Sequence, residues 1–316
     1  MQAVTFPTHN PVLLSDISKP AVRNIPIQAK GTLYLPKDHG GRRPAVILLQ
    51  GLGGVLQARE GTYGPWLAER GYAVLVVDSF ATRNAAKREH TLRAISITEA
   101  MILADAFAGL RYLSDHPAID PDRIHVAGFS YGGMVTILAA YEQIRRAYAA
   151  DGHRFAGHIS YYGASVPRLD DPTATGAPVL MMLGGLDRNV MVERSHQIAD
   201  DLRRGGAPVE IVVFENAYHQ WDADDVQRKF VLLSLHNCRM RVDRDNHVRD
   251  EGLGLRYRSR LSRALLLARQ TNMSGYHILR CDETLRRSNE MLLAFLGDSG
   301  AVAVPAFDGL VAEPAA

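Results

Sequence analysis

The five residues Gly128-Phe129-Ser130-Tyr131-Gly132 restrict the fold of this chain more than any other stretch. Residues 123–127 before them form a short apolar run of strand character, and residues 134–141 after them read as a buried helix. A serine between two glycines at a strand-to-helix turn is a nucleophile elbow, a turn so tight that the serine backbone is strained. Gly128 and Gly132 leave the necessary room because they carry no Cβ. An ordinary glycine-rich turn shares the pentapeptide, but here strand, serine and helix stand in the required order. The rest of the chain should then supply a base, an acid and an anion site.

The flanking pattern agrees. Residues 25–29 and 31–36 read as short antiparallel strands. Residues 45–49 are a continuous apolar run, as expected of a strand covered on both faces. A helix over 63–70 leads into a strand over 72–77, and the alanine-rich segment 94–116 reads as one long helix ended by Pro117 and Pro121. Strands follow over 155–163, 178–183 and 209–214, with a helix over 191–204 between the last two. Strands alternating with helices predict an α/β fold with a mostly parallel, doubly wound sheet and helices on both faces. Residues 228–282 break the rhythm, and their 239–263 part holds no convincing strand. A final helix resumes near Thr284. We expect one domain over 1–300, with 228–282 as an insertion that forms a lid or an interface, and a poorly ordered tail over 301–316.

Composition excludes several classes. With a net charge of +2 there is no general basic or acidic surface for nucleic acid or an anionic membrane. No apolar run reaches the roughly 20 residues that span a bilayer. Residues 1–10 lack the layout of a secretory signal, so the chain reads as cytoplasmic, or as secreted or periplasmic if a signal has been removed. Two cysteines, Cys238 and Cys281, are too few for a disulfide framework, though one bridge between them could clip the base of the insertion. His236, Cys238 and His247 fit no common zinc spacing, and no phosphate-binding glycine motif follows a strand. Neither metal nor cofactor is expected. A homodimer is compatible with the sequence.

In an open parallel sheet, sites form at the carboxyl ends of the strands. The 50–54 loop, Ser130, Asp187 and His219 all fall there, in the order serine, acid, histidine. His219 would take the serine proton and Asp187 would hold the imidazole tautomer. His236, His247 and His277 are rivals for the base, and Asp170 and Asp171 for the acid. An oxyanion needs two donors: the backbone N–H of Tyr131 and, from the glycine-rich loop, that of Leu52. Gln50, at the start of that loop, is a candidate substrate contact.

These residues resemble the dienelactone hydrolase family of α/β-hydrolases. The resemblance runs from about Gly31 to Trp221, through residues 50–54, Leu67 to Tyr72, Asp78-Ser79-Phe80, the elbow, Asp187 and His219. It implies an α/β-hydrolase fold and a metal-free esterase or lactonase acting on a small molecule. It also implies that Arg83 corresponds to the family's carboxylate-binding arginine. Two positions depart from the dienelactone-cleaving members: Ser130 stands where they carry cysteine, and Gly51 where they carry glutamate. Their second arginine has no counterpart at residues 220–223. The reading is a serine hydrolase of carboxylic esters or lactones. A peptidase or acyltransferase on the same triad, or a binding protein that has lost catalysis, are the alternatives.

Overall fold

The computed structural model describes residues 1–20, 24–37, 41–87, 90–224 and 227–297. In chain order the first elements are β1 (Gln2–His9), β2 (Pro26–Tyr34), β3 (Arg43–Leu49), α1 (Glu60–Ala68), β4 (Ala73–Val77), α2 (Ser79–Thr82), α3 (His90–Ser96) and α4 (Glu99–Ser114). The elbow follows between β5 (Ile119–Phe129) and α5 (Tyr131–Ala139), then α6 (Glu142–Tyr148), β6 (Gly157–Tyr161), β7 (Pro167–Leu169), β8 (Val179–Gly184), α7 (Val192–Arg204) and β9 (Val209–Phe214). The chain closes with β10 (Lys229–Val231), β11 (Met240–Val242), β12 (Val248–Asp250), α8 (Arg260–Gln270), β13 (Tyr276–Ile278) and α9 (Asp282–Gly297).

Eight strands make the main sheet in the order β1-β2-β4-β3-β5-β6-β8-β9. From β4 to β9 all pairs are parallel, while β1 and β2 add an antiparallel edge. The apolar run of β3 serves two cores at once. Ala45, Ile47 and Leu49 pack on one face with Phe107 and Leu110 of α4, and Val46 and Leu48 pack on the other with Trp66 and Leu292. Period-two alternation within an all-apolar strand thus feeds helices on both sides. This is the doubly wound α/β architecture expected from the sequence.

Several local expectations need correction. Residues 25–29 and 31–36 are not two strands but one, because Gly31 marks a close approach rather than a break: a Cβ there would lie 2.7 Å from the Val76 carbonyl. β1, unforeseen, pairs with β2 along its whole length. The helix expected over 94–116 is two helices, parted where Thr98 caps α4 by accepting from the Met101 N–H. Among the described residues no helix is long and apolar enough to cross a membrane.

The stretch 239–263 does contain strands. β11 pairs antiparallel with β12 and parallel with β7, while β10 pairs with β13. Three-residue strands are too short for alternation to stand out, and β11 depends on a partner some seventy residues earlier in the chain. Met240 and Val242 turn inward, and Arg241 turns outward to Asp170 at 2.6 Å. Cys238 and Cys281 are both free thiols, so the clip at the base of the insertion is not made. They pack into clusters on opposite faces of the sheet. The tail expected over 301–316 lies outside the described residues.

Candidate active site

The elbow is built as its glycines require. Ser130 has φ 53° and ψ −108°, a left-handed backbone that is costly for a residue with a side chain. A Cβ on Gly132 would lie 2.2 Å from the Leu49 carbonyl, and one on Gly128 would lie 2.2 Å from the Gly132 carbonyl. Both obstacles are backbone, so neither can move aside. Strand β5 and helix α5 can meet at this angle only through glycine.

His219 stands beyond β9, and its Nε2 is 2.9 Å from Ser130 Oγ. On its other side Nδ1 is 2.6 Å from Asp187 Oδ2. Asp187 divides its work: Oδ1 accepts from the backbone N–H of Asn189 at 2.7 Å and of Val190 at 3.3 Å. The turn that follows Asp187 therefore fixes the carboxylate in place. All three residues are buried, His219 entirely. Four of the rivals have other neighbours. Asp170 pairs with Arg241 and Arg249, and Asp171 accepts from Thr173. His247 lies beside Asp243, and the His277 ring packs on Phe230.

The glycine loop after β3 abuts the serine, since a Cβ on Gly51 would lie 3.3 Å from Ser130 Cβ and 3.2 Å from the Phe129 carbonyl. Buried Arg59 and Glu60 hold the loop: they pair at 2.7 Å, Arg59 donates to the Gly54 carbonyl, and Glu60 accepts from the Leu56 N–H. At the neighbouring helix start, the Tyr131 N–H belongs to the first turn of α5, where no carbonyl four residues back is available within the helix.

Two expected substrate contacts are not in place. The Arg83 guanidinium donates to Asn10 Oδ1, to the Ser79, His9 and Met101 carbonyls, and to both oxygens of Asp105. Those contacts use all five of its N–H groups, leaving none for a substrate carboxylate. Gln50 is fully buried, and its amide bridges the end of β4, donating to the Val77 carbonyl and accepting from the Ser79 N–H. Both residues shape the frame rather than the cleft.

Other residues near the triad escaped the sequence reading. The Tyr162 ring lies 4.9 Å from the His219 ring, and the Tyr276 ring lies 5.0 Å from it on another side. Tyr162 has φ 39° and directly follows the parallel strand β6, which is a position where site residues concentrate. Tyr276 comes from the 228–282 segment, at the start of β13, and carries no such signal. The Tyr162 hydroxyl donates to buried Asp222, whose carboxyl is pushed up to about 6 by burial against the pull of Arg59. The protonated form is thus favoured by folding. The stability it contributes is full below the ordinary value of 3.8 and is lost as pH rises through about 6. The melting temperature of the parent protein, relative to that of Asp222→Asn, should fall between about pH 4 and 6.5. A difference that stays constant over that range would refute the assignment.

The sequence model of the dienelactone hydrolase family matches residues 29–231, about two thirds of the chain. The chain belongs to the dienelactone hydrolase family. Membership places it among the carboxylic ester hydrolases of the α/β-hydrolase superfamily. A Yersinia pestis protein described as a candidate carboxymethylenebutenolidase is 25% identical over 204 residues, covering 60% of this chain and 72% of its own. A Bradyrhizobium protein described as a probable 2-oxo-3-(5-oxofuran-2-ylidene)propanoate lactonase is 25% identical and covers 57% of this chain and 73% of its own. Among solved structures, esterase 2 of Thermogutta terrifontis, phosphoramylated by tabun, shares the fold with a TM-score of 0.50 at 19% identity, over 62% of this chain and 81% of its own. The family match ends at residue 231, the last of β10, so most of the 228–282 segment lies beyond it.

Proposed function

We propose that this protein hydrolyses a carboxylic ester or lactone of a small molecule through an acyl-Ser130 intermediate. The observation that carries the reading is His219, hydrogen-bonded at once to Ser130 Oγ at 2.9 Å and to Asp187 at 2.6 Å. Ser130 Oγ attacks the acyl carbon while His219 Nε2 accepts its proton. The oxyanion that forms is met by the N–H groups of Tyr131 and Leu52, a pairing worth about 2.7–4 kcal/mol for each donor. His219 then returns the proton to the leaving alcohol, or to the ring oxygen of an opened lactone. Water repeats the sequence in reverse and frees the acid. Asp187 keeps the Nδ1 proton in place and steadies the imidazolium in both halves.

The substrate class follows from what the site has and lacks. A serine nucleophile beside Gly51, with Arg83 engaged by Asp105, supports neutral esters and lactones over substrates that need a second carboxylate to be clamped. In this reading residues 1–300 act as one domain, and the 228–282 segment shapes the acyl or alcohol pocket.

A fluorophosphonate should label the parent protein at Ser130 and leave Ser130→Ala unlabelled. A series of p-nitrophenyl esters of graded chain length, together with simple lactones, then defines the acyl group. Acid release that persists undiminished when an alcohol is added marks hydrolysis, whereas transfer to the alcohol marks an acyltransferase. Failure of the fluorophosphonate to label would overturn the acyl-serine mechanism and favour a binding role.

A further inference from the structure

Two arginines tie the rim of the site to helices outside it. Arg93 of α3 donates Nη1 to the Leu52 and Gly53 carbonyls at 3.2 and 2.7 Å, and so grips the loop that carries one oxyanion donor. Helix α3 is in turn held from the insertion. Arg263 of α8 donates Nη1 to the Ala94 carbonyl at 2.9 Å, and Arg260 donates to the Ser96 carbonyl at 3.1 Å, filling acceptors that the last turn of a helix leaves open. The other arm of Arg263 turns to the second donor. Its Nη2 lies 2.6 Å from Glu99 Oε2 and 3.2 Å from the hydroxyl of Tyr131, the residue after the nucleophile. That hydroxyl is also 3.1 Å from Glu99 and 3.2 Å from the Ile97 carbonyl.

This is an expensive way to attach a helix. Arg263, Glu99 and Tyr131 are 3%, 4% and 5% exposed. Burying two ions costs several kcal/mol each, and an apolar contact would staple α8 as well or better. Burial works against the charge on Glu99, and Arg263 outweighs it, so the carboxyl lies below its ordinary range. What an apolar staple could not do is hold a tyrosine hydroxyl by both donor and acceptor. Fixing that hydroxyl fixes the first turn of α5, which carries the Tyr131 N–H.

We infer that Arg263 is a positioning residue for the oxyanion hole, through which the 228–282 insertion holds both backbone donors in register with the acyl carbonyl. The inference rests on the acyl-serine reading and extends it: acyl transfer requires α8 to be docked.

The test uses the full chain. Arg263→Met/Glu99→Gln removes both charges together, so that neither is left buried alone. Tyr131→Phe removes only the hydroxyl, and Arg263→Lys keeps the charge. Each is assayed for kcat and KM on a p-nitrophenyl ester, for the rate of fluorophosphonate inactivation and for melting temperature. For the double variant and for Tyr131→Phe, kcat should fall about 10- to 100-fold, the loss that displacing a group by an ångström can bring. KM should stay within about twofold, and inactivation should slow by the same factor as kcat, because the phosphoryl oxygen occupies the same hole. Arg263→Lys should recover part of the loss. Combining Tyr131→Phe with the double variant should add little, since both act through one hydroxyl. Variants that remain folded with unchanged kcat would overturn the inference. So would losses that appear only in KM, or effects that add in full, since either would leave a structural staple. A parent protein that hydrolyses no ester and takes no label would instead overturn the acyl-serine reading beneath it.

Discussion

Ester turnover should fall by about 10⁴- to 10⁶-fold in Ser130→Ala and again in His219→Ala, with the double variant barely worse than either one. The lack of additivity is the informative part. Ser130 and His219 share one proton across 2.9 Å, so either loss removes the activated nucleophile, and the second loss finds nothing left to remove. The residual rate should come from substrate binding and the oxyanion donors alone. Asp187→Asn should be milder, because the imidazole stays in place but loses the partner that fixes its tautomer. That variant also tests the division of labour within the carboxylate. The amide oxygen can still accept from the Asn189 and Val190 N–H groups, so the turn should survive while the rate falls. Burst kinetics with p-nitrophenyl acetate, alongside circular dichroism to verify the fold, measure all four proteins. Near-parent turnover in Ser130→Ala would dismiss the mechanism.

Arg83→Ala should lose about 3–5 kcal/mol of stability and leave substrate preference untouched. The side chains of Arg83 and Asp105 are 6% and 0% exposed and pair at 2.6 Å, with Thr8 also donating to the carboxylate. Removing the guanidinium strands a buried carboxylate and releases the carbonyls of His9, Ser79 and Met101. Those groups join the edge strand β1, helix α2 and helix α4, so the cost is one of fold rather than of binding. Arg83→Lys should recover little, because an ammonium has three donors and cannot span the same acceptors. Denaturant midpoints give the stability change. The ratio of kcat/KM for a matched acidic and neutral ester, taken well below the melting temperature, gives the selectivity. A stable Arg83→Ala whose preference for acidic esters had dropped would return this arginine to the site.

The elbow, the parallel sheet and the order Ser130, Asp187, His219 were legible in the chain because each is enforced locally. A strand covered on both faces must be apolar throughout, and a turn this tight admits only glycine on either side of the serine. Both demands are written into consecutive residues. The same is true of the glycine loop at residues 50–54, which any reader of backbone freedom would mark. Arg83 shows where that kind of reading stops. A guanidinium after a strand looks alike in a sequence whether it faces a cleft or a buried aspartate, and Asp105 lies on another helix altogether. Gln50 is the same case, its amide claimed by Val77 and Ser79. Between residues 228 and 282 almost nothing was legible. Its strands are three residues long and borrow partners such as β7, its Tyr276 reaches His219 only across the fold, and Arg263 meets Glu99 and Tyr131 at separations of 164 and 132 residues. Local backbone constraints leave a pattern in sequence, whereas the choice of partner for a side chain is made by packing at long range.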